Sequence, residues 1–408
     1  MSATASPPRS AVPPPLLAAR NGVAVVFALN GLAVATWFSR IPAVREALGL
    51  SAGQLGLLLL AMSGGAVLAL ISAGLVTQRL GPARTVVTST VLVAAGLAGV
   101  GLAAGPIGSL PGVAVGLFAL GYGSGTCDVA MNVEGAAVEK RLGRTILPRF
   151  HAAWSLGSVA GAGLGAGAAR LGVPITAHLA ALAVLVLGGT LLGARRFLPA
   201  SHADGGSTRR GGLLAAWREP RTLLIGALVL VMAFTEGSAN DWLAVAFVDG
   251  YGVSEAAGAA VFGVFVTGMT IGRTAGTVAI DRWGRGPVLV GTILLAAAGS
   301  LLAVLAGSGP VAVVGVVLWG LGASLGFPVG MSAAADDEER APARVSVVAV
   351  LGYTSFLASP PLLGLLGDHV GTLHALLVVP VLLIPTLALV PATRPPAGSS
   401  ATAPVQEN

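Results

Sequence analysis

The chain has 408 residues, is 55% hydrophobic with a mean hydropathy of +0.87, and carries only 10% Asp, Glu, Lys and Arg. Soluble domains carry about 25% of those four types, so an ordinary soluble protein, a disordered chain and a nucleic-acid binder are excluded, and the net charge of +6 must have another purpose. The single cysteine, Cys127, allows no internal disulfide.

In chain order, residues 1–19 are rich in Pro, Ser and Ala and read as a disordered segment with no apolar core for a cleaved leader. Twelve apolar runs follow, at 20–39, 53–77, 85–104, 111–138, 149–170, 174–194, 222–247, 256–280, 287–307, 310–334, 345–366 and 372–391. A helix needs about 20 apolar residues to cross the hydrocarbon layer. The runs are continuous rather than alternating, which excludes a transmembrane barrel. The expected fold is an all-α membrane protein of twelve transmembrane helices. The 59 glycines lie largely inside the runs, where small residues let helices approach closely. Gly157, Gly161 and Gly165 in the fifth run have that spacing.

The breaks carry the charge. With both termini on one side, only Arg40, Arg45 and Arg170 of the 23 Lys and Arg fall on the other. This is a strong positive-inside bias and predicts cytoplasmic termini in a plasma membrane. Lys140 is the single lysine, a usage that hints at a GC-rich bacterial source.

Carboxyls inside the runs are costly and functional by default. Asp128 lies three residues from the centre of the fourth run, and Glu236 lies at the centre of the seventh. A carboxyl shielded from water can hold and release a proton near neutral pH, so both are candidate proton-coupling groups. Ser124, Asp128 and Asn132 form one stripe at i, i+4, i+8. Glu236 and Asn240 repeat the pattern, with Asp241 and Trp242 just outward. Asn30 sits mid-way along the first run, with Trp37 beyond it. Such a stripe is expected to face a cavity and to suit a hydroxyl-rich ligand. Trp37 and Trp242 are candidate stacking surfaces, with Trp154, Trp319, Tyr122 and Tyr353 as weaker ones. His151 opens the fifth run and is a candidate relay. Arg273, about eight residues from the end of its run, either reaches the surface or meets a carboxylate.

An internal repeat sets the architecture. Gly49, Ser51, Arg79 and Gly81 recur 203 residues later as Gly252, Ser254, Arg282 and Gly284. The chain therefore divides into two pseudo-symmetric six-helix halves, 20–194 and 222–392, joined by a basic linker at 195–221 and followed by a tail at 393–408. Parallel repeats are a plan of secondary transporters, with the site between the halves at mid-depth.

The segment Thr277-Val-Ala-Ile-Asp281-Arg282-Trp-Gly284-Arg285 resembles the loop signature of the major facilitator superfamily. The first-half copy, Gly74-Leu-Val-Thr-Gln78-Arg79-Leu-Gly81, has Gln in place of Asp. The resemblance covers nearly the whole chain and implies two bundles that rock around a central cavity. Arg79, Gly81, Asp281, Arg282, Gly284 and Arg285 would then form gating latches, the charges pairing with neighbouring helix ends in one state and releasing in the other. Asp128-Val-Ala-Met-Asn132 and His151-Ala-Ala-Trp154 further resemble the fucose-permease-like branch, most closely its bacterial YbjJ-type relatives. In fucose permease an acid four residues before an Asn serves proton and sugar, which implies those roles for Asp128 and Asn132. Here Asp replaces Glu, and Val133 stands where fucose permease has Pro.

The function expected is proton-coupled symport of a small polar solute such as a sugar, by a monomer in the bilayer. A proton-coupled exporter of drugs or metabolites is the alternative. Drug antiporters of the superfamily usually carry an Arg within the fourth helix and a Gly-Pro element in the fifth, and both are missing here. No phosphate loop, nucleophile elbow or His/Cys cluster occurs, so neither an enzyme nor a bound cofactor or metal is expected.

Overall fold

The computed structural model describes residues 13–143, 146–198, 215–337 and 340–394. Parts of the expected N-terminal segment, linker and tail lie outside these residues. The described chain is helical: α1 (Pro14–Ser39), α2 (Ile41–Leu48), α3 (Ala52–Leu80), α4 (Pro82–Leu102), α5 (Leu110–Leu142), α6 (Leu147–Arg170), α7 (Ile175–Ala194), α8 (Pro220–Tyr251), α9 (Glu255–Trp283), α10 (Arg285–Leu305), α11 (Gly309–Ala323), α12 (Gly326–Ala334), α13 (Ala341–Val370), α14 (Thr372–Ala375) and α15 (Val378–Thr386). A 3₁₀ turn, Leu387–Thr393, closes the described chain. With α2 as a short connector, these elements form the twelve expected spans in two halves.

Several boundaries differ from the apolar runs. The first helix starts at Pro14 rather than after residue 19, because Pro14 and Pro15 occupy the first helical positions, where a missing N–H costs nothing. Among the described residues, eleven helices are long and apolar enough to cross a membrane. The remaining span, α6, is 24 residues long but rich in Gly and Ala, and it is packed against α1 and α9. The tenth span is broken into α11 and α12 at Ser324 and Leu325. The twelfth is divided among α14, α15 and the 3₁₀ turn, with Pro385 and Pro391 inside its last two pieces.

The repeat is written in the backbone. Gly49 and Gly252 both adopt left-handed geometry, at φ 61° and 63°. Ser51 and Ser254 both cap the next helix, accepting from Gln54 N at 3.2 Å and Ala257 N at 3.3 Å. Gly81 and Gly284 share φ values of 78° and 80°, a region open to glycine at little cost.

Within each half the helices touch backbone to backbone. A methyl on Gly157 would lie 2.9 Å from Ala28 Cα, and one on Gly161 3.1 Å from Leu32 Cα, so α6 lies directly on α1. Between the halves, contact is concentrated at the end of the bundle opposite the termini, the far end. There α3 meets α13 through Gly56 and Gly364, and α6 meets α9. Every hydrogen bond and ion pair joining the halves among the described residues is also at the far end: Arg45 pairs with Asp249, and Asp368 accepts from Ser51 Oγ at 3.2 Å and Gly53 N at 3.0 Å. The cleft between the halves therefore opens toward the termini.

Candidate functional site

Polar groups at mid-depth line the cleft. In the first half, Ser124 Oγ donates to Asn30 Oδ1 at 3.0 Å, tying α5 to α1. One turn on, Asn132 Nδ2 donates to the Asp128 carbonyl at 2.9 Å and to its Oδ1 at 3.3 Å. The i, i+4 spacing thus orients the Asp128 carboxylate from within its own helix. That carboxylate has no cationic partner among the described residues and is half-buried, so it stays available to a ligand or proton.

In the second half, Arg273 Nη2 on α9 donates to both oxygens of Glu236 on α8, at 3.2 and 3.1 Å. The Glu236 and Arg273 side chains are 15% and 31% exposed, and Arg273 is within electrostatic range of His151 in the other half, which puts the pair on the side of its half that faces the first. Arg273 Nε also donates to the Ser324 carbonyl at 3.4 Å. Tyr353 on α13 lies within electrostatic range of both Asp128 and Glu236, its ring set between Phe327 and Phe356 with centroids at 6.0 and 6.2 Å. His151 is exposed, sits edge-on to Phe27 at 5.3 Å, and is within electrostatic range of Arg273. Asn240 and Asp241 are half-buried without a hydrogen-bond partner among the described residues. Asn30, Ser124, Asp128, Asn132, Glu236, Tyr353, His151 and Arg273 are thereby brought into one neighbourhood, contributed by both halves.

Two expected residues are elsewhere. Trp37 is 0% and Trp242 1% exposed, both in the packed core with indole N–H groups that have no acceptor among the described residues. Burial of their large apolar surface decides their place, so they do not line the cleft as stacking platforms. Arg273 neither snorkels to the surface nor stands free; the ion pair holds it at depth.

Among the described residues, the charges expected to form a latch make no ion pair between the halves. Arg79, Asp281 and Arg282 are exposed, and Arg282 lies over its neighbour Trp283 at 5.6 Å. Arg285 pairs with Asp336 at 2.7 Å within its own half, so here it does not bridge the halves. That end of the second half carries further ion pairs, including Arg344 to Glu219 at 2.6 Å. The Arg344 hydrogen bond, with smaller help from Thr222, holds the Glu219 carboxyl below the usual carboxylate range. The far-end contacts of Arg45, Asp249 and Asp368 were not anticipated as functional; their only sequence signal is a charge placed just past the end of an apolar run.

The profile of the Major Facilitator Superfamily matches residues 23–277 and 230–407. The chain belongs to this superfamily. As a major facilitator protein it is a multi-pass membrane transporter of small molecules, not an enzyme. An uncharacterized transporter of Sinorhizobium fredii is 33% identical over 358 residues, covering 86% of this chain and 92% of that one. An uncharacterized major facilitator transporter of Yersinia pestis is 31% identical, covering 84% and 88%. Among solved structures, a nucleoside transporter, NupG, superposes with a TM-score of 0.76 at 11% identity, covering 92% of this chain and 99% of that one. The E. coli fucose:proton symporter FucP gives 0.63 at 20%, covering 92% and 98%. These likenesses establish the fold.

Proposed function

We propose that this major facilitator protein couples proton entry to uptake of a small polar solute such as a sugar, by alternating access. The observation that carries this reading is the convergence of polar groups from both halves, the Asp128 carboxylate without a cationic partner among the described residues in one and the Glu236–Arg273 pair in the other, with Tyr353 within electrostatic range of both carboxylates. A carboxylate without a cation beside it takes up a proton at least electrostatic cost. On this reading Asp128 alternates between a proton and a solute hydroxyl. Asn30, Ser124 and Asn132 orient the solute from the first half, and Glu236, Asn240 and Asp241 face it from the second. His151, within electrostatic range of Arg273, serves as a relay. The solved fucose and D-xylose proton symporters among the fold neighbours support this solute class, as does the resemblance to the fucose-permease-like, YbjJ-type branch.

The cationic breaks support a cytoplasmic position, at a bacterial plasma membrane, for the end carrying the termini; on this reading the conformation described here is inward-open. The protein acts as a monomer of two bundles, 20–194 and 222–392, joined by the 195–221 linker. The loop residues Arg79, Gly81, Asp281, Arg282, Gly284 and Arg285 would close the cytoplasmic end in the opposite state.

The test is internal pH in proteoliposomes holding a trapped pH dye, challenged from outside with a panel of sugars, nucleosides and cationic drugs. Sugar-triggered internal acidification that disappears in Asp128→Asn, with solute exchange retained, is expected. Alkalinisation on adding a drug would establish an exporter instead. Undiminished proton-driven accumulation by Asp128→Asn would remove Asp128 from coupling.

A further inference from the structure

The tenth span is broken at Ser324 and Leu325, and the sequence explains why. Pro328 has no N–H, so the carbonyl four residues earlier, that of Ser324, has no helical donor. A buried carbonyl left without a donor is destabilising. Here the partner is Arg273 Nε at 3.4 Å. The arrangement is held from behind by close packing. A methyl on Gly272 would lie 2.8 Å from Ser324 Cβ and 2.9 Å from the Leu321 carbonyl oxygen, and one on Gly276 would lie 2.9 Å from Leu325 Cγ. The helix carrying Arg273 is therefore pressed onto the break itself. With its other face Arg273 grips both Glu236 oxygens.

We infer that Arg273 is a positioning residue that joins the Glu236 carboxylate to the proline break of the tenth span, so that the charge on Glu236 sets how firmly α12 is held. With Glu236 ionised, the guanidinium is fixed at Nη2 and its Nε is aimed at Ser324. When Glu236 loses its charge, that fixation is lost, the Ser324 carbonyl loses its donor, and α12 can pivot about Leu325. Since α12 packs against α8 and α13 near the end carrying the termini, its release alters the mouth of the cleft. The charged and titratable groups near the pair are Tyr353 from α13, within electrostatic range of Glu236 and also of Asp128 on α5, and His151 from α6, within range of Arg273; Asp241 lies five residues on along the Glu236 helix. The inference deepens the transport reading by giving the second-half carboxylate a mechanical output.

Hydrogen exchange, read by mass spectrometry on the full chain in lipid nanodiscs, tests it without a solute. Glu236→Gln is expected to speed amide exchange across residues 325–334 by about tenfold or more, the loss of one charged hydrogen bond expressed as local opening. Arg273→Gln is expected to do the same. The double variant should exchange no faster than Arg273→Gln alone, because both changes break one linkage. Exchange in 325–334 unchanged by Glu236→Gln, or effects that simply add, would overturn the inference. Should Arg273→Gln fail to fold, Glu236→Gln decides alone. If Asp128→Asn leaves proton-driven transport intact while Glu236→Gln still loosens 325–334, the transport reading fails and this linkage stands.

Discussion

Gly56→Ala should move the protein between conformations without unfolding it. Gly56 lies on α3 in the first half, and everything near its missing side chain belongs to α13 in the second. A methyl there would lie 3.1 Å from the Pro360 carbonyl carbon, 3.2 Å from Gly364 Cα and closer still to the Pro360 oxygen. All three are backbone atoms, so no side chain can swing aside. Overpacking of this kind costs about 1–3 kcal/mol. Because the cost falls only on the far-end-closed state, the ratio of closed to open should drop roughly 5- to 150-fold. The assay is a distance distribution between spin labels at Ala47 and His369, both exposed at the far end and on opposite halves. The buried native Cys127 is replaced by Ser in the labelled background. Wild type should show a dominant short distance, and Gly56→Ala a shift to a longer one at an unchanged melting temperature. An unaltered distribution from a folded Gly56→Ala protein would refute the argument that this contact seals the far end.

Gly157→Ala should act differently, because its methyl meets Ala28 of the same half, 2.9 Å from Cα. It should lower stability by about 1–3 kcal/mol in a detergent melt while leaving the label distances unchanged. Trp37→Phe keeps one packed aromatic ring and deletes an indole N–H that lacks an acceptor among the described residues, so it should cost less than the about 3–5 kcal/mol of Trp37→Ala. Uptake abolished by Trp37→Phe at a normal melting temperature would return that indole to the solute. Glu219 titrates below the ordinary carboxylate range because Arg344 donates to it. Its stabilising contribution is therefore present in full above that range and lost as pH falls through the lowered value. Melting curves from neutral to strongly acidic pH should show this loss in wild type and its absence in Glu219→Gln.

The architecture was readable because its cause is local and repeated. The apolar runs needed only length and hydropathy, and the 203-residue offset emerges in the backbone as matched glycine turns at Gly49 and Gly252 and at Gly81 and Gly284. The polar stripe of Ser124, Asp128 and Asn132 was legible for the same reason, since helical spacing alone puts those groups on one face. What the sequence concealed depends on partners distant in the chain. Nothing near Arg273 announces Glu236, 37 residues away, or the Ser324 carbonyl. Pro328 marks a break, but only the fold reveals what satisfies it. Trp37 and Trp242 were misplaced because an aromatic near the end of an apolar run has the same signature whether it packs inward or faces a ligand. The far-end contact at Asp368 joins it to a hydroxyl 317 residues away and a backbone N–H 315 residues away, and neither acceptor nor donors form a recognisable motif.

The glycine seams have a consequence for how this sequence can drift. Where α6 lies on α1, the contact surface is main chain, so no compensating change in a neighbouring side chain can rescue a larger residue at Gly157 or Gly161. Such positions are closed to variation one at a time. The seam between the halves at the far end is different, because much of it is made by side chains: Arg45, Asp249, Ser51 and Asp368. Those can be exchanged in pairs. Substitutions that alter how readily the halves part thus remain open to selection, while those that would soften either half are purged.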